Sequence, residues 1–429
     1  MSLPPLALLV IWILWTVQAL VSALRVRAFG SILARRESSD DRDYRPKATV
    51  ILPLKGIDPE LSRCVSALLH QDYPDYQVVF IAETTDDPAC QVVASAMVDA
   101  PASRANLLIA GRAPGNQGQK VHNQLTAIEA LEPKADDDDV WAFIDSDVVP
   151  DRTWLADIVG PLRRKERNAV CTGYRWLVPE PGADLARPSV WAQLLSVMNA
   201  SLAGFQGIPN WTQTWGGSMA MRVATARKGD LRARWRGALS DDLSVTQMAK
   251  ALGKRVHFVP RCMMITPISG NLTTLASFAR RQYLIVRVYL PPLFMFAFAM
   301  MWLYVIGFVS AWSYLLIHLM TDYSDWRWLW PLPATLVVLL ANQARASARR
   351  RCVETVFGED VMRQLESTLW WDRWATPLWM ALHAAFITSA LFGRTFVWRG
   401  IRYRLMGRNH VIRFDSLPTN VSPKVTTDE

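Results

Sequence analysis

The sequence predicts an α/β domain with a mostly parallel sheet, joined to transmembrane α-helices. Two observations carry this prediction. Uncharged apolar runs lie near both ends of the 429-residue chain, whereas the middle alternates short apolar strings with helical patterns and turn residues. Such alternation predicts parallel strands covered by helices on both faces. We therefore expect one folded domain held between membrane anchors.

The first element is predicted to be a membrane-spanning helix over residues 4–24. This stretch contains no charge and is long enough to cross a hydrocarbon core of about 30 Å. A cleaved signal peptide is the alternative, but the stretch lacks a basic leader and a clear cleavage site. The positive-inside rule places the domain over residues 46–287 in the cytoplasm, because basic residues flank it at Arg25, Arg27, Arg35, Arg36, Arg280, Arg281 and Arg287.

Strands and helices alternate within this middle domain. Buried strands are predicted at residues 48–52, 78–82, 140–144 and 169–173, and helices at 60–71 and 243–252. In parallel sheets, ligands bind at the carboxyl ends of the strands. The residues that directly follow these strands are therefore the candidate site residues.

The C-terminal part of the chain is predicted to return to the membrane. Residues 288–320 form one long span or two short ones, 325–342 and 376–392 form further spans, 353–374 form an amphipathic interfacial segment, and 393–429 form a basic tail. Two short spans within 288–320 would place the basic tail in the cytoplasm, which the positive-inside rule favours.

Charge and cysteine content argue against several classes of protein. The formal net charge is +9, yet the arginines cluster beside apolar spans rather than among aromatic residues, so we expect a lipid bilayer and no nucleic acid as partner. The five cysteines are scattered without a CxxC pair, which indicates neither a disulfide framework nor a zinc site. Any metal is therefore expected to bind carboxylates.

Asp145 and Asp147 form the strongest candidate site. They flank Ser146 directly after a predicted strand, so both carboxylates point to the same side at the strand end. Two carboxylates can hold Mg²⁺ or Mn²⁺, which would bridge the diphosphate of a nucleotide. An Asp-x-Asp pattern is common by chance, and its place after a buried strand is what makes the prediction specific.

Neighbouring segments supply candidate nucleotide-binding residues. Lys55, Lys120 and Asn123 can reach the same edge of the sheet, where a cation and an amide suit phosphates and a base. Asp86 and Asp87 follow the strand at 78–82. They either accept hydrogen bonds from a base or ribose, or they only begin a helix.

Two further motifs lie between residues 215 and 242. Asp241 and Asp242 follow Ser240 at a predicted helix start, where they can stabilise the helix, act as a general base, or do both. Trp215 precedes Gly216 and Gly217. Its ring can lie beneath a sugar or serve only for packing.

The order of these motifs resembles glycosyltransferase family 2/21, and in particular the ceramide glucosyltransferase-like enzymes. The resemblance covers about residues 46–290 and consists of PLKGID at 53–58, QDYPDYQV at 71–78, DDPA at 86–89, KVHN at 120–123, DSD at 145–147, GGSMAMR at 216–222 and SDD at 240–242. Residues 398–405 are similar to the family's C-terminal signature.

The resemblance implies a GT-A fold, an inverting mechanism, a divalent cation and a nucleotide-activated hexose, which we expect to be a UDP-sugar. It assigns the family's acidic motifs to Asp86 or Asp87, then to Asp145, and then to Asp242 as the base. The sequence departs from the family at two places: Thr84 occupies the first aspartate's position, and Leu-Ile at 284–285 replaces an Arg-Trp pair. Arg280, Arg281 or Arg287 is the candidate to replace that lost charge at the diphosphate.

The resemblance implies an integral membrane enzyme that transfers a hexose to a lipid hydroxyl, with a ceramide-like acceptor favoured. Its catalytic domain would be cytoplasmic, at the inner membrane of a bacterial cell. Two alternatives remain open at this point: a processive polysaccharide synthase that exports its product, and a catalytically weakened protein that binds nucleotide-sugar or lipid.

Overall fold

The computed structural model describes residues 4–35, 41, 43–98, 104–182, 186–321, 324 and 326–414. The predicted basic residue Arg36 and the end of the predicted tail, residues 415–429, lie outside the described residues.

A seven-stranded sheet forms the centre of the middle domain. Its strands are β1 (Ala48–Pro53), β2 (Tyr76–Ala82), β3 (Ala105–Ile109), β4 (Val140–Ile144), β5 (Asn168–Pro179), β6 (Ser218–Arg222) and β7 (Arg255–Ile268). They are ordered β3-β2-β1-β4-β6-β5-β7. Only β6 runs antiparallel to its neighbours, so the sheet is mostly parallel. This arrangement confirms the predicted α/β fold class, in the form expected of a GT-A domain.

Helices cover both faces of this sheet. They are α2 (Leu61–Leu69), α3 (Pro88–Met97), α4 (Gln119–Leu131), α5 (Trp154–Val159), α6 (Val190–Ala203), α7 (Val223–Lys228), α8 (Leu231–Trp235) and α9 (Asp241–Ala251). Successive side chains of β1 point to opposite faces. Leu52 therefore packs with α2, α3 and α5 on one face, and Ile51 packs with α4, α8 and α9 on the other.

Helices also form the two ends of the chain. They are α1 (Leu6–Leu33), α10 (Leu272–Tyr289), α11 (Pro291–Thr321), α12 (Leu332–Gln364), α13 (Glu366–Trp374) and α14 (Thr376–Ser389). Within the described part of the chain, α1 and α11 are long and apolar enough to cross a membrane, with mean hydropathies of 2.2 and 2.1. They approach closely, because a Cβ at Gly307 would lie 2.5 Å from Trp15 Cγ. The run predicted as one long span or two short ones is thus a single helix.

The α12 helix extends beyond the span predicted for residues 325–342. It continues through a basic stretch to Gln364, with a kink at Gly358 where φ is 79° and ψ is −176°, and so takes up part of the segment predicted to lie at the interface. The reason is a buried ion-pair cluster: Arg345 and Arg349 donate to Asp372 Oδ1 of α13 at 3.3 and 2.5 Å. These paired charges allow the helix to remain packed against the domain.

Residues 395–414 form an antiparallel sheet rather than the predicted basic tail. Its strands are β8 (Thr395–Trp398), β9 (Ile401–Gly407) and β10 (His410–Phe414). Along β9, the buried side chains of Ile401, Tyr403 and Leu405 alternate with exposed arginines. This alternation lets one face pack against the domain while the arginines stay in solvent.

Candidate functional site

A cavity of about 480 Å³ lies at the carboxyl ends of β1 and β4. The loops after these strands form one side, and α10 together with the turn between β8 and β9 forms another. The structure brings to this cavity the predicted residues Lys55, Lys120, Asn123, Asp145, Asp147, Trp215, Asp241, Asp242 and Arg281.

Lys120 joins the acidic triplet to the start of α9. Its Nζ lies 2.7 Å from Asp145 Oδ1 and 3.0 Å from Asp241 Oδ2. Burial alone would lower the pKa of Lys120, but the two carboxylates raise it above its usual value. The Nε2 atom of Gln124 donates to the same Asp241 oxygen at 3.0 Å. Asp241 is thus held by two partners.

Two glycines allow the backbone to approach these carboxylates. A Cβ at Gly216 would lie 2.5 Å from Asp241 Oδ2, and a Cβ at Gly217 would lie 2.8 Å from Asp145 Oδ2. A Cβ at Gly217 would also lie 2.3 Å from the Trp215 ring. Trp215 therefore packs against the glycine turn as well as lining the cavity. Any larger residue at either glycine would displace the charged groups.

Asp147 carries a free acceptor. Within the described residues, its Oδ1 is buried without a hydrogen-bond partner, and Arg175 Nη1 lies 3.8 Å from Oδ2. Burial and the neighbouring Asp145 carboxylate raise the pKa of Asp147. A buried carboxylate oxygen without a hydrogen-bond partner is suited to binding a cation.

The carboxylates fit a hard divalent cation that also binds a ligand. The described part of the chain contains no group of three or more His, Cys, Asp or Glu side chains that could hold a metal. Mg²⁺ typically binds one or two protein carboxylates and completes its shell with water and substrate phosphates. Asp147 can supply such a ligand directly, whereas a cation at Asp145 must compete with the Lys120 ammonium.

Asp242 lies at the start of α9. Ser240 is the N-cap, since its Oγ accepts from the Leu243 amide; the predicted capping role is therefore present. Asp242 Oδ1 accepts from the same amide at 2.7 Å and from the Ser240 hydroxyl. Burial and the adjacent Asp241 raise the pKa of Asp242 to about 6. At neutral pH this carboxylate is mostly ionised, and its raised basicity suits it to accept a proton.

Asp86 and Asp87 do not line this cavity. Asp87 accepts from the Gly56 and Ala89 amides, both at 3.0 Å, and caps α3. Asp86 is exposed. The structure thus places Asp87 in the simpler of its two expected roles, the start of a helix.

Glu83, which sequence reasoning did not single out, anchors Lys55. Its carboxylate pairs with Lys55 at 2.6 Å and with Arg413 of β10 at 2.9 Å. Burial alone would raise the pKa of Glu83, but hydrogen bonds from these two cations lower it.

Asn123 also has local partners. It donates to the Ile81 carbonyl at 3.2 Å and accepts from Gln119 at 2.8 Å. The bond to Ile81 attaches α4 to the end of β2, and the bond from Gln119 lies within α4.

Sequence reasoning predicted Arg281 but missed the aromatic rings and arginines around it. Arg281 lies over the rings of Phe278 and Trp398, with its guanidinium carbon 5.3 and 5.2 Å from their centroids. Burial and the guanidinium groups of Arg175 and Arg399 lower the pKa of Arg281 to about 10. The C-terminal motif at 398–405 was the available signal for Arg399, whereas nothing in the local sequence distinguished Arg175.

Solved structures with a related shape include two sugar-transferring enzymes. A mannosyltransferase from Pyrobaculum calidifontis, in complex with GDP-Man and Mn²⁺, is 17% identical, with 90% of this chain and 97% of that chain covered and a TM-score of 0.46. Glucosyl-3-phosphoglycerate synthase from Mycobacterium tuberculosis, in complex with Mn²⁺, UDP and phosphoglyceric acid, is 14% identical, with 59% and 84% covered and a TM-score of 0.38.

Local sequence matches occur in two fungal ceramide glucosyltransferases. The Candida albicans enzyme is 33% identical over 72 residues, or 16% of this chain, and the Komagataella phaffii enzyme is 39% identical over 44 residues, or 10% of this chain. The matches span only 13% and 9% of those enzymes. By contrast, the sequence profile described as Glycosyl transferase family 21 matches residues 8–411. Because this match covers nearly the whole chain, the protein belongs to glycosyl transferase family 21.

Proposed function

We propose that this protein is an inverting glycosyltransferase that moves a hexose from a UDP-sugar to the hydroxyl of a membrane lipid, with a ceramide-like acceptor favoured. One observation carries the lipid assignment. The α10 helix lines the cavity with Arg281 and Ile285, and α11, one of the two helices apolar enough to cross a membrane, begins directly after it at Pro291. The helix that lines the charged cavity therefore leads directly into a candidate membrane span.

The cavity residues suit in-line transfer. In this proposal Asp145 and Asp147 would hold Mg²⁺ or Mn²⁺, and the ion would offset negative charge on the diphosphate. Asp242 takes the proton from the lipid hydroxyl while that oxygen bonds to the anomeric carbon and the bond to the diphosphate breaks. Lys120 holds Asp241 and Asp145 in place through the two ion pairs described above.

Charged residues next to the membrane helices support a cytoplasmic domain. Arg25 and Arg27 lie near the end of α1, and Arg280 and Arg287 lie on α10 just before α11. Both groups border the catalytic domain, which is the side that the positive-inside rule assigns to the cytoplasm. We therefore propose the inner membrane as its location in a bacterial cell.

The proposal is tested with the full-length protein in lipid nanodiscs. Labelled UDP-glucose, ceramide and Mn²⁺ are supplied, and the organic phase is analysed by thin-layer chromatography and NMR. We expect one labelled lipid with an inverted anomeric centre. Label found only in free sugar or in a water-soluble polymer would contradict lipid transfer. A Glu166→Gln variant is the matched control, because this carboxylate is 99% exposed and does not line the cavity.

A further inference from the structure

The C-terminal sheet is attached to the site from the far end of the chain. Arg413 of β10 pairs with Glu83 at 2.9 Å, and the Tyr403 hydroxyl of β9 accepts from the Gln119 amide at 3.3 Å. Between these contacts, the turn from β8 to β9 places Trp398 and Arg399 against the cavity. This sheet is therefore part of the cavity wall.

Arg399 is held in this turn by a buried carboxylate. Its guanidinium lies 2.7 Å from an oxygen of Asp58, a residue that is only 7% exposed. Arg399 has a φ of 50°, a left-handed conformation that costs energy for any residue other than glycine. The Ser146 hydroxyl donates to the same carboxylate at 2.5 Å. Asp58 thus connects the strained turn to the middle of the acidic triplet.

Positive charge accumulates on this side of the cavity. Arg175, Arg281 and Arg399 all line it, and burial together with the two neighbouring guanidinium groups lowers the pKa of Arg281. The carboxylates that face these three cations are Asp58 and Asp147. An excess of guanidinium groups in a partly buried wall favours a ligand with several negative oxygens.

We propose that Arg399 binds the diphosphate of the donor, that Asp58 positions it, and that the β8–β10 sheet is therefore an integral part of the donor site. This inference rests on the proposed function, since it assumes a nucleoside diphosphate in the cavity. Arg399 is 40% exposed in its side chain, so it can bond Asp58 and still present donors to a ligand. Asp58 acts through Arg399 and is a positioning residue.

The test compares UDP and UMP binding to the full-length protein by calorimetry. We expect Arg399→Ala to weaken UDP binding about ten- to hundredfold, the range of one charge-assisted hydrogen-bonding group. UMP lacks the second phosphate, so its affinity should change less than about threefold, whereas a distorted cavity would weaken both nucleotides. Arg402→Ala, on the exposed side of β9, is the matched control and should bind UDP as the wild type does.

A charge exchange separates ligand binding from structural pairing. In Asp58→Arg/Arg399→Asp the ion pair can form in reverse, so the thermal unfolding temperature should recover relative to Arg399→Ala while UDP binding stays weak. Recovery of UDP affinity, or equal UDP affinity in Arg399→Ala and wild type, would overturn the inference and leave the proposed function intact. A wild-type protein that does not bind UDP would instead contradict the proposed donor itself.

Discussion

Replacing Asp242 with asparagine separates catalysis from stability. The change removes the proposed base but keeps an oxygen that can accept from Ser240 and Leu243. General-base loss typically lowers the rate about 10²- to 10⁴-fold. The pKa of Asp242 is raised from 3.8 to about 6, so the folded state binds this proton more tightly than the unfolded state. Protonation of Asp242 therefore stabilises the folded state below pH 4, and this stabilisation is lost as pH rises through about 6.

Ionised Asp242 therefore destabilises the protein at neutral pH. Two pKa units correspond to at most about 3 kcal/mol, so Asp242→Asn should unfold at a higher temperature than wild type at pH 7.5, with the difference shrinking toward pH 4. Wild-type transfer should rise with pH through about 6. The assays are thermal unfolding and initial rates across this range. A variant with full activity, or one that is destabilised at pH 7.5, would refute the assignment.

Three further predictions concern packing and the cation. Gly216→Ala should lower transfer roughly hundredfold through displaced carboxylates, whereas Gly115→Ala, with open space around it, should have normal rates. Asp372→Ala should cost about 3–5 kcal/mol of unfolding free energy by leaving two buried arginines unpaired, while thermal unfolding of Asp360→Ala, whose ion pair is exposed, should change little. Chelation with EDTA should abolish transfer, and added Mn²⁺ should restore it; activity that survives complete metal removal would contradict the cation's role.

The strands of the sheet could be predicted where a short apolar string in the sequence marks them. Val140–Ile144 is a short apolar string that ends at charged residues, and β1 and β2 have the same character. β7 was missed because Pro260 and Pro267 interrupt its pattern. β6 lies within the GGSMAMR motif and is short, and its placement between β4 and β5 depends on pairing across the chain.

The chemistry was predicted less completely than the fold. Residues that directly follow strands, such as Asp145 and Asp147, could be named as candidates because strand ends locate ligand sites. Arg399 and Asp58 are 341 residues apart, and no local pattern reports a contact over that separation. The C-terminal segment was interpreted as a basic tail because arginines are its most conspicuous residues. Their alternation with buried Tyr403 and Leu405 shows instead a strand with one buried face.

Lipid mass spectrometry of cells tests most directly whether the protein transfers a hexose to a membrane lipid. Cells lacking the protein are supplied with either the wild type or Asp242→Asn, with equal amounts in the membrane confirmed by immunoblotting. We expect a lipid carrying one additional hexose in cells with the wild type, and we expect this lipid to be missing in cells with the variant. Identical lipid profiles in the two strains would contradict transfer of a sugar to a membrane lipid at this site.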